Sequence, residues 1–238
     1  MENPDVTDDE WIICKWLRSG TWPHRSRSRP RIALKRARAE RALADVPARR
    51  HRARAPLTVD TDGVVPRARQ VPSPNCDARP DAAPIDLVVV HGISLPPGEY
   101  GGPGIVALFG NRLDPGAHPY YATIAGLRVS SHFLIRRDGE LLQFVPCAQR
   151  AWHAGESSWR GRPGCNDYSI GIELEGTDTK PYAAAQYATL VRLARALCRR
   201  YPIAAIAGHS DVAPGRKTDP GPAFDWTRVW HALPQLKV

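Results

Sequence analysis

The segment AGHSDVAPGRKTDPG, Ala207 to Gly221, gathers His209, Asp211, Lys217 and Asp219 among two prolines and three glycines. Proline lacks an amide hydrogen and glycine admits turns, so the segment reads as a loop rather than a helix or strand. A second histidine, His91, closes the apolar run IDLVVVH. Two imidazoles and one carboxylate, with a fourth position left open, form the donor set of a catalytic zinc site. Asp219 can return to the metal because the intervening Pro and Gly residues turn the chain. Asp211 is the rival ligand, or a group that orients His209 from behind. Glu173 and Glu175, on one face of the alternating stretch SIGIELEG, both qualify as the base that takes a proton from an attacking water. Lys217 is placed to set a positive charge against an oxyanion.

Residue types alone leave a structural alternative standing: a His-capped strand, a solvated loop and two surface glutamates. Further candidates are weaker still. His132 reads as a buried histidine within a strand. His153, in AWHAG, reads as a wall of a sugar-binding cleft, with Trp152 and Trp159 as stacking surfaces, although tryptophan more often packs in a core. Arg128 and Arg162 could meet a substrate carboxylate.

The elements that must position these groups follow from periodicity. IDLVVVH, Ile85 to His91, is a continuous apolar run suited to an interior strand buried on both faces, with His91 at its tip. SSHFLIRRDGELLQFVP pairs two strands across Asp138-Gly139, a hairpin signal. In SIGIELEG, Ile170, Ile172 and Leu174 face one way and Gly171, Glu173 and Glu175 the other. AAAQYATLVRLARALCRRY repeats Tyr187, Leu190, Val191, Ala194, Leu197 and Cys198 at helical spacing, an amphipathic helix to lie on a sheet. IAAIAGH is a short strand feeding His209, and FDWTRVWHAL a closing helix. Strands and helices in this order imply an α/β fold: a single domain with a mixed central β-sheet flanked by helices. That puts His91 and His209 at one edge of the sheet, where open α/β sheets carry their sites.

The formal charge of +9 is unevenly spread. Residues 1–56 hold 14 Lys and Arg against 7 Asp and Glu, whereas the remaining chain holds 19 against 17. The segment 1–56 is therefore expected to be a basic, low-complexity, disordered extension with at most one short helix between Pro30 and Pro47, and residues 57–238 the domain, folded from near Val64 onward. Without interleaved aromatics the basic segment is weak support for nucleic-acid binding. Five cysteines with no C-x-x-C pair argue against a disulfide framework and for a reducing compartment. The opening residues lack the pattern of a signal peptide, and no apolar run approaches ~20 residues, so no membrane role and a cytoplasmic location are expected.

The quoted motifs also carry a resemblance. ARQVPSPNCDARP, HGISLPPGEYGGP, LRVSSHFLIRRDGELLQFVP, RAWHAGESSWRGRPGCNDYSIGIELEGTD and GHSDVAPGRKTDPGPAFDW, in this order from about Gly63 to Leu233, resemble the cytoplasmic 1,6-anhydro-N-acetylmuramyl-L-alanine amidases of Gram-negative bacteria, the AmpD proteins. These belong to the type 2 amidases, a wider family that includes phage endolysins and animal peptidoglycan-recognition proteins. The resemblance implies that fold, zinc held by His91, His209 and Asp219, Glu173 as general base and Lys217 at the oxyanion. It further implies hydrolysis of the amide between the lactyl group of anhydro-N-acetylmuramic acid and L-alanine in muropeptides, during cell-wall recycling; no obligate protein partner is inferred. Substrate contacts are assigned to Arg128, Trp152 and His153. Gly92 and Gly164 depart from the Asn and Arg expected there. The competing class is a muropeptide-binding module without catalysis, which typically lacks a complete metal set.

Overall fold

The computed structural model describes residues 56–80 and 83–236. Almost all of the basic extension, including the stretch between Pro30 and Pro47, lies outside the described residues. The strands are β1 (Arg69–Gln70), β2 (Cys76–Ala78), β3 (Leu87–Ile93), β4 (Phe133–Ile135), β5 (Leu141–Gln143), β6 (Gln149–Ala151), β7 (Ser158–Trp159), β8 (Arg162–Pro163), β9 (Ser169–Glu175) and β10 (Ala205–Gly208). The α-helices are α1 (Gly104–Phe109), α2 (Pro119–Ala122), α3 (Ala184–Arg200), α4 (His209–Val212) and α5 (Trp226–Ala232). Six strands form the central sheet in the order β1-β5-β4-β9-β3-β10. Only the β4–β5 hairpin is antiparallel; the other pairings are parallel, as expected of a mixed sheet.

Burial explains which runs became interior strands. Leu87 to Val90 and all of β9 are buried, consistent with strands covered on both faces. On one face Val88, Val90, Ile170, Ile172, Leu174 and Ile206 pack under α3 and α5. Helix α3 presents Tyr187, Leu190, Leu193, Ala194 and Leu197 to them, at about 1.5–3 kcal/mol for each large side chain fully buried. Gln186 locks the helix start to the sheet: its amide donates to the carbonyls of Ile135 and Glu175, and its side-chain oxygen accepts from Ala183 N–H.

The opposite face carries the alternate residues. Leu134 and Leu142 pack with α1 and α2, while Leu87, Val89, Ala205 and Ala207 pack with Cys165, Tyr168 and Val212. His91, Glu173 and Glu175 share that face between the two clusters, because β3 and β9 pair in register with His91 opposite Glu173.

Four expectations need correction. β3 runs on through Gly92 and Ile93, so His91 sits inside the strand rather than at its tip. His132 precedes β4 instead of lying in it. The loop expected from Ala207 begins as the last residues of β10 and one turn of helix, α4, before it turns back. Ordered packing starts before Val64, since Leu57 is already buried in the core and its carbonyl accepts from Arg199.

Candidate metal centre

Strand pairing brings His91 and His209 together. β10 lies parallel to β3, and His209 directly follows its last residue as the start of α4. The chain then returns, with Ser210 N–H donating to the Asp219 carbonyl at 2.9 Å, which delivers the Asp219 carboxylate to the two imidazoles. His91 Nδ1 and His209 Nδ1 stand 2.9 Å apart. Asp219 Oδ2 lies 3.1 Å from His209 Nδ1 and 3.4 Å from His91 Nδ1. Both histidines are buried and the aspartate nearly so.

The donor set fits a cation. Each imidazole has its far nitrogen engaged: His91 Nε2 lies 3.0 Å from His153 Nδ1, and His209 Nε2 lies 3.3 Å from the Ala154 carbonyl. The two Nδ1 atoms are left to converge with a carboxylate oxygen. A tetrahedral zinc with bonds of ~2.0–2.1 Å has ligand–ligand edges of about 3.3 Å, close to those found here. Burial, followed by His209, holds the His91 imidazole down at about 4. Burial pushes the Asp219 carboxyl up, but the two histidines outweigh it and keep the group well below the usual carboxylate range. A neutral imidazole and an ionised carboxylate are the ligand forms a metal requires.

The structure separates the paired alternatives. Asp211 accepts from Gly208 N–H at 2.7 Å and so caps α4 rather than joining the cluster. Glu175 is fully engaged, with Arg136 Nη1 and Gly101 N–H both donating to Oε1 at 2.7 Å. Glu173 is buried, at 8% exposure, and its Oε2 has no hydrogen-bond partner among the described residues. Burial first, and the Asp219 carboxylate second, raise the Glu173 carboxyl well above its ordinary range, with Lys217 acting in the opposite sense. Lys217 lines one cavity with Asp219, Gly92, Leu95, Tyr120 and Ile124.

The weaker candidates scatter. His153 is buried behind His91, its Nε2 3.2 Å from Ser169 Oγ, so it is not the cleft wall the sequence suggested. Burial, with His91, His132 and His209 nearby, holds its imidazole well below the ordinary range. Arg128 is exposed, its guanidinium donating to the carbonyls of Gly126 and Leu127. Trp152 is half-buried, and neither residue lines the Asp219 cavity. Arg162 is committed to Asp86 and stacks on Tyr168. Trp159 packs at the edge of the core. Gly164 takes a left-handed conformation, φ 71°, that an Arg would adopt only with strain. A Cβ on Gly92 would come within 2.3 Å of Tyr182 Oη, which donates to the Pro220 carbonyl.

Sequence reasoning missed this supporting layer. Ser169 shares strand parity with Gly171 and Glu173, which was a readable signal. Tyr182 and Asn166 carried none.

Comparison with known proteins identifies the family. Residues 81–222 match the family described as N-acetylmuramoyl-L-alanine amidase. The chain is 61% identical over 169 residues to the 1,6-anhydro-N-acetylmuramyl-L-alanine amidase AmpD of Citrobacter freundii, covering 70% of this chain and 90% of that protein. It is 63% identical over 163 residues to the protein of the same name from Escherichia coli strain K12, covering 68% and 89%. The crystal structure of a selenomethionine AmpD derivative superposes with a TM-score of 0.71 at 58% identity, covering 76% of this chain and 100% of that one.

Proposed function

The chain belongs to the N-acetylmuramoyl-L-alanine amidase family, and we propose that it hydrolyses the amide between the lactyl group of 1,6-anhydro-N-acetylmuramic acid and L-alanine, in the recycling of cell-wall fragments. The observation that carries the chemistry is a buried carboxylate, Glu173, whose Oε2 has no hydrogen-bond partner among the described residues, in register with His91 beside a convergent His91–His209–Asp219 donor set. His91, His209 and Asp219 would hold zinc, which when bound supplies Lewis acidity to a carbonyl and lowers the pKa of water.

The residues of the chain then divide the work. Glu173 accepts the proton of the attacking water as the new C–O bond forms at the lactyl carbonyl. Burial suits its carboxyl to holding that proton. Glu173 then delivers it to the alanine nitrogen as the C–N bond breaks. Lys217 offsets the negative charge that collects on the carbonyl oxygen in between. Leu95, Tyr120 and Ile124 line the cavity that Lys217 and Asp219 share and restrict bulk water there. Arg128 and Trp152 remain the candidates for contact with the distal parts of the substrate.

We place the enzyme in the cytoplasm, on the cysteine usage described above. No helix among the described residues is long and apolar enough to cross a membrane. Residues 57–238 would form the catalytic unit and 1–56 an appendage to it. A binding module without catalysis is disfavoured, since it has no use for a costly buried carboxylate with an unsatisfied oxygen beside a full ligand set.

Mass spectrometry of anhydro-muramyl tripeptide incubated with the purified chain tests the reading. Tripeptide release that stops on chelation and returns with zinc is expected. A folded, zinc-loaded chain that releases no peptide would sink the hydrolytic reading.

A further inference from the structure

His91 can serve a metal through Nδ1 only if its proton sits on Nε2, and a chain of hydrogen bonds behind it determines where that proton goes. The chain ends at a backbone carbonyl, Cys165 O, which can only accept. Ser169 Oγ lies 2.5 Å from it and therefore donates its single proton there. The serine oxygen is thus left to accept from His153 Nε2, 3.2 Å away. His153 is buried and among the described residues its ring nitrogens face only His91 and Ser169, no carboxylate, so the ring stays neutral and carries one proton. With that proton on Nε2, His153 Nδ1 is a bare acceptor. It faces His91 Nε2 at 3.0 Å, and so His91 Nε2 is the protonated nitrogen. The lone pair of His91 Nδ1 is left facing His209 and Asp219.

Two further observations show that the fold is built around this imidazole. A Cβ on Gly171, in the middle of β9, would lie 2.5 Å from His153 Cγ, so the absence of a side chain there makes room for the ring. Asn166 Oδ1 accepts from the backbone N–H of both His153 and Ala154, which pins this dipeptide behind the site. The next carbonyl, Ala154 O, faces His209 Nε2. One short stretch therefore backs both histidines.

We infer that His153 is a positioning residue which, held by Ser169 and seated over Gly171, fixes the tautomer and ring orientation of His91 for metal binding. Outer partners of this kind commonly change metal affinity by about 10–100-fold. The inference rests on the proposed metal role of His91, but part of its test does not.

In the metal-free wild-type chain, long-range proton–nitrogen NMR should show His91 protonated at Nε2 and bare at Nδ1. The zinc dissociation constant, measured by competition with a chromophoric chelator, should rise by about 10–100-fold in His153→Phe. It should recover most of the way in His153→Gln, whose side-chain carbonyl can accept the same proton. Should His153→Phe fail to fold, Ser169→Ala replaces it: there the His153 ring stays, its tautomer is released, and His91 should become a mixture of tautomers with weaker zinc binding. A His91 protonated at Nδ1 in the wild type, or a folded His153→Phe that binds zinc as tightly as wild type, overturns the inference. A wild-type chain that takes up no zinc overturns the metal reading instead, while the metal-free spectrum still decides the proton chain.

Discussion

Replacing Glu173 by Gln keeps the shape of the side chain and removes its charge and its basicity, and the structure predicts opposite effects on activity and stability. The wild-type carboxylate is buried, its Oε2 lacks a hydrogen-bond partner among the described residues, and Asp219 adds a like charge. An unsatisfied buried polar group costs about 1–3 kcal/mol, more when charged. A glutamine amide still lacks partners, so the net gain is about 1–2 kcal/mol. For a domain of this size that raises the melting temperature of the metal-free protein by roughly 2–8 °C. Turnover should fall by at least ~100-fold, about 2.7 kcal/mol of transition-state stabilisation, because no other carboxylate takes its place. Zinc should still bind, since Glu173 is not among the three converging groups. Scanning calorimetry of metal-free protein, elemental analysis and single-substrate kinetics read the three quantities. A variant with turnover within a few-fold of wild type, or one that is less stable, would refute the reasoning.

Glu175→Gln should do the reverse: it strips Arg136 of its partner in a buried ion pair and should cost about 3 kcal/mol in urea unfolding while leaving zinc content unchanged. Asp211→Ala removes the cap of α4 and should cost about 1 kcal/mol with zinc retained, whereas Asp219→Ala should abolish tight zinc binding; equal metal loss in both would contradict the assignment. Metal-free protein should lose stability in acid. His91, His132 and His153 are each held below the ordinary histidine range by burial, His91 at about 4. Their contribution is complete above pH ~6.5 and is lost as the unfolded chain takes up protons below it. From pH 7 to 5.5 this is about 1.2 kcal/mol for each, roughly 4 kcal/mol together. Glu173, whose carboxyl is raised, acts with the opposite sign, so the measurement belongs in the Glu173→Gln background, where urea midpoints that do not move between these pH values would disprove the account.

The sequence by itself determined the elements and the short list of chemical groups. Local patterns suffice for these: a continuous apolar run for β3, strict alternation for β9, a 3.6-residue stripe for α3 and an Asp-Gly turn for the β4–β5 hairpin. Strand parity placed Glu173 and Glu175 on one face, but parity is the same for both. Only the tertiary structure separated them, because Arg136 and Gly101 come from distant parts of the chain to engage Glu175, while among the described residues Glu173 Oε2 has no hydrogen-bond partner. The choice between Asp211 and Asp219 was likewise made by where the loop returns. His153 shows the limit most plainly. Its role depends on Gly171 leaving space, on Asn166 holding its backbone and on a serine proton pointed at Cys165. Each is a contact across strands or loops, and the spacing of residues along a chain holds no information about which way a hydrogen bond points.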